Sequence, residues 1–332
     1  MDIIKMLKEK AATLKGTVVL PESADTRMLM AAEQITREGF AKVILLGEKE
    51  AINADAKLFG VSLNGIEIID PEKYDLLNDF ALYFYEKRKT KGVTPESARE
   101  IVKNPLYFGA LLVQFQKVNG MVAGALNTTS DVLRAALQVI GVHPGLKTVS
   151  SSFIMVTPNF QGQGDKVFLF GDCAVVPNPT AEQLADIAFS TALTRKALIG
   201  DEPRVALLSF STKGSAEHEL VDKVIEAKKI LESRNVNFEF DGELQLDAAV
   251  IEKVGKTKAP NSKIAGNANV LIFPDLQSGN IGYKLVQRFA NAEAIGPVIQ
   301  GLAAPVCDLS RGCSVDDIVS TSALVLLMSR IK

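Results

Sequence analysis

The feature that most restricts the fold is a repeated order: a short apolar, β-branched run, then a segment with helical periodicity. "GTVVLPE" precedes a helical pattern from about Asp25 to Glu38, and "AKVILLG" follows it. "KVFLFGD" leads into "TAEQLADIAFSTALTRKALIG", "RVALLSFS" into "EHELVDKVIEAKKILESR", and "NVLIFPD" into "IGYKLVQRFANAE". Parallel strands need a crossover between them, so this order predicts an α/β fold with mainly parallel sheets and helices on both sheet faces. At 332 residues the chain exceeds one ordinary core, so two three-layer α/β/α domains are expected. Gly and Pro punctuate "GVHPGLKTVSS", the best internal boundary, and a second crossing is expected near Gly301 to Pro305. The expected layout is therefore discontinuous, with 1–147 plus 302–332 forming one domain and 148–301 inserted as the other. It would bring residues 305–317 beside a cleft between domains, a common place for a ligand.

Composition excludes several function classes. Lys and Arg number 37 against 39 Asp and Glu, and no long basic block occurs, so nucleic acid is not an expected partner. The longer apolar runs, such as Ala323 to Met328, fall far short of the roughly 20 residues that span a bilayer. The N-terminal "MDIIKMLKEKAATLKG" is amphipathic and lacks a signal peptide's apolar core, so a cytoplasmic location is expected. Three cysteines, Cys173, Cys307 and Cys313, form no CxxC pair, which fits a reducing compartment. With only His143 and His218 and no HExxH, no metal or other cofactor is expected.

Phosphate-binding motifs are poorly represented. GxxxxGK[ST] is absent, and "GQGDKV" at 162–167 precedes a strand rather than following one. "SGNIG" at 278–282 reads as a β–α turn whose glycines and helix N-terminus suit an anion. His143 before Pro144 reads as a turn residue, and His218 between two glutamates as helix surface.

The loop "PVCDLSRGCSVDDIV" at 305–319 is the densest in chemistry. Ser314 and Asp317 make an S-x-x-D capping box ahead of an apolar helix. A carboxylate already accepting N–H bonds takes a proton less readily, which weighs against Asp317 as a base. Arg311 precedes that helix N-terminus, so two positive fields converge where an anion would fit. Arg27 raises the same question in the first turn of its own helix. Arg134 is the lone cation of "SDVLRAALQVIG"; it can pair with Asp131 at i, i+3 or reach a ligand. Arg88 suits a helix C-terminus, and Arg288, one turn after Lys284, suits an exposed helix face. Cys313 has no nearby histidine to activate it and reads as a buried, inert thiol.

Together the stretches "VVLPESADTRMLMAA", "DVLRAALQVIG", "FGDCAVVPNPTAEQLADIA", "ALLSFSTKGSA", "DGELQLDAA", "FPDLQSGNIGYKLVQR" and "PVCDLSRGCSVDDIV" resemble the phosphate acetyl/butyryltransferase family, the phosphotransacetylases, nearly end to end. The resemblance implies a two-domain fold like that of isocitrate and isopropylmalate dehydrogenases, usually in a homodimer. It implies exchange of an acetyl group between CoA and inorganic phosphate, with acetyl-CoA and acetyl phosphate as the acyl carriers. By the same resemblance Asp317 is the base for the CoA thiol, Ser310 and Arg311 stabilise the transition state, and Arg27, Arg88, Arg134 and Arg288 bind CoA or phosphate. Three rival readings remain open: a phosphate butyryltransferase, a dehydrogenase of the related fold, and a non-catalytic acetyl-CoA sensor.

Overall fold

The computed structural model describes residues 2–331. It is an α/β protein of two compact units, one of Asp2–His143 with Leu302–Arg330, the other of Pro144–Gly301.

In the first unit, strands β1 (Thr17–Leu20), β2 (Lys42–Leu46), β3 (Glu67–Ile69), β4 (Gly120–Ala123) and β11 (Val306–Asp308) form one sheet. Its order is β11-β4-β1-β2-β3, and every neighbouring pair is parallel. The helices are α1 (Ile3–Ala12), α2 (Thr26–Glu38), α3 (Lys49–Phe59), α4 (Leu77–Arg88), α5 (Pro95–Ile101), α6 (Pro105–Gln114), α7 (Thr129–Val139) and α13 (Val315–Met328). β1 alternates its side chains, so Val19 joins a core with Phe80, Phe84 and Phe108 from α4 and α6. Val18 and Leu20 point the other way and are equally buried. A strand apolar on both faces is what a parallel sheet with two helical layers requires. Each such Val or Leu contributes about 1.5–3 kcal/mol on burial.

Local signals set the helix ends. Asp25 caps α2 by accepting from the Arg27 N–H at 2.8 Å, and Gly39 closes that helix in the left-handed region at φ 72°. The strand order reverses between β1 and β4: β2 and β3 extend the sheet to one side, β4 and β11 to the other. The carboxyl ends of parallel strands at such a reversal form the ligand crevice of open α/β sheets.

In the second unit, β5 (Ser150–Thr157), β6 (Lys166–Gly171), β7 (Arg204–Leu208), β8 (Glu239–Leu244), β9 (Val270–Ile272) and β10 (Glu293–Gln300) form a sheet ordered β10-β5-β6-β9-β7-β8. The β6–β9–β7–β8 portion is parallel, while β10–β5 and β5–β6 are antiparallel. Its helices are α8 (Ala181–Leu198), α9 (Glu219–Ser233), α10 (Leu246–Val250), α11 (Glu252–Lys258) and α12 (Leu276–Phe289).

Two sequence expectations change here. "SGNIG" is no β–α turn: Asp275 caps α12 by accepting from the Ser278 N–H, so residues 278–282 lie inside the helix. Its glycines admit close packing instead, since a Cβ at Gly279 would stand 3.3 Å from the Cys173 sulfur and one at Gly282 2.9 Å from the Phe273 ring. His218 is not helix surface but the N-cap of α9, its Nδ1 accepting from the Leu220 N–H at 3.1 Å.

Candidate active site

Three chain segments leave the sheet of the first unit at its strand-order reversal. Pro21–Asp25 follows β1, Gly124–Thr128 follows β4, and Leu309–Ser314 follows β11. They carry few apolar side chains, so polar bonds must hold them.

Glu22 provides the first set. It is 4% exposed. One carboxylate oxygen accepts from the N–H groups of Gly124 and Ala125 at 2.8 Å each. The other accepts from the Leu126 N–H at 3.2 Å and from Asn127 backbone and side chain at 2.8 Å each. Four successive backbone donors thus converge on one charge, the same geometry by which loops hold anions. Here the anion belongs to the protein, and the loop after β4 is fixed to the end of β1.

Arg27 provides the second set. Its Nε and one terminal nitrogen grip both Asp25 oxygens at 3.0 and 2.6 Å. The same terminal nitrogen donates to the Ala125 carbonyl at 3.0 Å. The other donates to the carbonyls of Arg311 and Cys313 at 2.9 and 2.7 Å. A guanidinium has five N–H donors, and these bonds engage them all. The hydrogen bond to Asp25 raises the Arg27 pKa further. Arg27 therefore ties the start of α2 to the loops after β4 and β11, and in this arrangement has no donor left for a substrate.

Ser310 and Arg311 are exposed in the β11 loop. The Ser310 Oγ accepts from the Gly312 N–H at 3.2 Å, a tight turn that presents both side chains outward. Arg311 forms no ion pair with any carboxylate among the described residues, while its carbonyl is held by Arg27. Asp317 sits in the first turn of α13, and the capping box is formed: Oδ2 accepts from the Ser314 N–H at 2.8 Å and hydroxyl at 2.9 Å. Oδ1 lies outside the box. Cys313 is buried, which pushes its thiol pKa up despite the nearby Arg27 charge, as expected of an inert cysteine.

The other arginines are dispersed. Arg134, exposed on α7, pairs with Asp131 at 2.9 Å. Arg88 ends α4; its Nε is buried without a hydrogen-bond partner. Tyr107 lies within electrostatic reach of both, which lowers a phenol pKa that burial raises more strongly. Arg288 is exposed on α12 of the other unit.

Sequence reasoning passed over Glu22, Thr129 and Asp308. Asp308 ends β11 and is 6% exposed. Its Oδ2 accepts from the Thr129 hydroxyl at 2.6 Å, and its Oδ1 is buried without a partner. Burial, opposed by the Thr129 bond and the Leu309 N–H and aided by the Glu22 charge, pushes its pKa up to about 6. Among the described residues no group of three or more His, Cys, Asp or Glu could hold a metal ion, and no helix is long and apolar enough to cross a membrane.

The family model described as "phosphate acetyl/butaryl transferase" matches residues 2–326. A phosphate acetyltransferase of Thermoanaerobacterium thermosaccharolyticum is 52% identical over 330 residues, covering 99% of this chain and 100% of that one. A phosphotransacetylase structure from Streptococcus pyogenes superposes with a TM-score of 0.92 at 40% identity, covering 99% and 98% of the two chains. A putative 4-hydroxythreonine-4-phosphate dehydrogenase from Salmonella typhimurium, 10% identical, aligns at a TM-score of 0.55 over 95% of this chain and 99% of its own, a likeness of fold alone. With a family match across nearly its whole length and a relative identical at half its positions, the chain belongs to the phosphate acetyl/butaryl transferase family and is an acyltransferase.

Proposed function

We propose that this chain transfers an acetyl group reversibly between CoA and inorganic phosphate, with Ser310, Arg311 and Asp317 at the reacting atoms. The observation that carries the reading is the β11 loop: an exposed hydroxyl and an exposed guanidinium on a segment whose backbone carbonyls Arg27 holds, with the Asp317 carboxylate in the first turn of the helix that follows.

The chemistry follows from the groups present. A free thiol has a pKa of about 8.5 and is mostly protonated at neutral pH. Asp317, through the oxygen outside its capping box, takes the CoA thiol proton as general base. The thiolate attacks the carbonyl of acetyl phosphate, and negative charge grows on that oxygen and on the departing phosphate. Ser310 donates to the developing charge, and Arg311 pairs with the phosphoryl oxygens through its planar fork. A preorganised donor of this kind contributes about 10²–10³ in rate. In reverse, phosphate attacks the thioester and Asp317 returns the proton. No acyl-enzyme and no cofactor enters. Arg88, Arg134 and Arg288 each serve a phosphate group of CoA, on a chain whose net charge of −2 offers no general attraction for anions. Arg27 supports this site from behind.

We place the enzyme in the cytoplasm as a homodimer. An exposed apolar stripe, Ile281, Leu285 and Phe289, runs along α12 at four-residue spacing beside the sheet's edge strand β10. Phe289→Asp should convert dimer to monomer in light scattering; an unchanged mass would remove α12 from the pairing.

The activity is tested by mixing protein, CoA and acetyl phosphate without metal or nicotinamide cofactor and following thioester absorbance. Rapid acetyl-CoA formation, exceeding that with butyryl phosphate, is expected. No thioester from either acyl phosphate would overturn the reading.

A further inference from the structure

Asp308 is a buried carboxyl that the transfer chemistry does not use. It is the last residue of β11, two positions before Ser310. Its Oδ2 accepts a 2.6 Å bond from Thr129, the first residue of α7, and α7 carries Arg134. On its other side is Gly124, at φ +112°, where a Cβ would stand 2.5 Å from Asp308 Oδ1 and 2.6 Å from the Leu309 carbonyl oxygen. Backbone and carboxyl are thus pressed together as only glycine allows. Oδ1 is buried, with nothing nearer to a partner than the adjoining Leu309 N–H, whose own bond goes to the Ala123 carbonyl. An unmet buried polar atom costs about 1–3 kcal/mol, more when charged. An arrangement that costly, at the strand end feeding the reactive loop, calls for a use.

We propose that Asp308 is a positioning residue for acyl transfer: it clamps Thr129 and so holds the first turn of α7, with Arg134, against the strand that delivers Ser310 and Arg311. The proposal rests on the acetyl-transfer reading of that loop. The clamp is a charge-assisted bond, about twice as strong as a neutral one, so it acts with Asp308 ionised. The charged group facing Asp308 is Glu22, from beyond β1. β4 brings no charge; α7 turns Asp131 and Arg134 toward each other on its surface; the acids of α13, Asp316 and Asp317, are exposed. With a pKa of about 6, raised by burial, Asp308 loses its charge as pH falls through 6, and the clamp loosens.

The sign of the stability effect is opposite to that of activity. A carboxyl whose folded pKa lies above its ordinary 3.8 stabilises the fold when protonated, and that stability is lost as pH rises from 3.8 to about 6. Ionised Asp308 therefore aids turnover and strains the fold.

The test uses Asp308→Asn and Thr129→Val in the full-length protein, with kcat and thermal midpoint measured from pH 5 to 8. Asp308→Asn should lower kcat about tenfold or more at pH 8, remove the acidic limb of kcat centred near pH 6, and leave the pH 8 midpoint equal to or above that of the unsubstituted protein. Thr129→Val removes the donor of the clamp, so kcat at pH 8 should fall to a similar degree and the acidic limb should disappear as it does in Asp308→Asn. An Asp308→Asn protein with unchanged kcat and unchanged limb would overturn the proposal, as would a kcat loss matched by a fall in midpoint. If Asp308→Asn does not fold, Thr129→Val decides alone: a retained acidic limb with unchanged kcat would overturn the proposal. Failure of the acetyl-transfer reading shows separately, as an unsubstituted protein that makes no acetyl-CoA.

Discussion

Two strand-end carboxylates, Glu22 after β1 and Asp172 after β6, do similar jobs by different routes. Asp172 accepts from the N–H groups of Ala174, Val175 and Val176, two to four residues further on, and from Ser151 on the neighbouring strand. Glu22 accepts from residues 102 to 105 positions away and from nothing near it in sequence. The first is a local turn with one long-range stitch. The second is wholly long-range and joins two loops of the candidate site. A local turn restricts a few dihedrals, whereas a carboxylate bridging distant loops decides whether those loops adopt one arrangement at all. Only the Glu22 region adds a second buried carboxyl, Asp308, and a saturated arginine, Arg27, on the same three loops.

The sharpest way to break this comparison is truncation at both places. Glu22→Ala leaves the buried N–H groups of Gly124 and Ala125 unmet, at about 1–3 kcal/mol each, and frees the part-buried donors of Leu126 and Asn127. We expect a loss of about 4 kcal/mol or more by urea unfolding and turnover below detection. Asp172→Ala should cost about 2–3 kcal/mol, because its loop donors are less buried and reach solvent more readily. Equal losses at the two positions would mean that sequence separation has no bearing on what such a carboxylate contributes.

Next in size is Arg27→Lys. Lysine keeps the charge but offers three donors from one point, where the guanidinium spans acceptors on Asp25, Ala125, Arg311 and Cys313. About 2 kcal/mol of stability should go, and kcat should fall more than tenfold while the KM for CoA changes less than threefold. A large rise in KM with kcat intact would restore Arg27 to the substrate's phosphates and separate it from Glu22 as a positioning group.

These regions also divide what the sequence makes visible from what it hides. The repeated strand-then-helix pattern exposed the α/β class, and the S-x-x-D and D-x-x-R spacings exposed the Ser314–Asp317 box and the Asp131–Arg134 pair, because both partners sit within one helical turn. "SGNIG" misled because glycine serves close packing as readily as phosphate, and Asp275 had already begun the helix. Arg27 stood out as a cation in an awkward place, yet three of its four partner residues are met through backbone carbonyls, which carry no side-chain signature. Glu22 was invisible for the same reason, its acceptors filled by backbone N–H groups more than a hundred residues away. Asp308 carries no local signal, and only the three-dimensional pairing of β11 with β4 and α7 reveals its burial.

The smallest expected effect settles the conflict at Asp317, which caps α13 and is proposed to take a proton from CoA. Ser314→Ala removes the hydroxyl half of the box and should cost about 1 kcal/mol, the usual value of an N-cap. It also releases Asp317 Oδ2 from the 2.9 Å hydroxyl bond while the Ser314 backbone N–H bond at 2.8 Å persists. A carboxylate with one donor fewer is a better proton acceptor, so turnover should hold or rise up to threefold. Asp317→Asn should lose less stability than this, since an amide oxygen accepts the Ser314 N–H nearly as well, but most of the turnover. If the two variants lose turnover in parallel with stability, Asp317 acts only as a cap, and the proton must leave the thiol by another route. If they diverge, the first turn of α13 has one carboxylate that caps and catalyses, beside a loop after β1 whose buried carboxylate, Glu22, only holds.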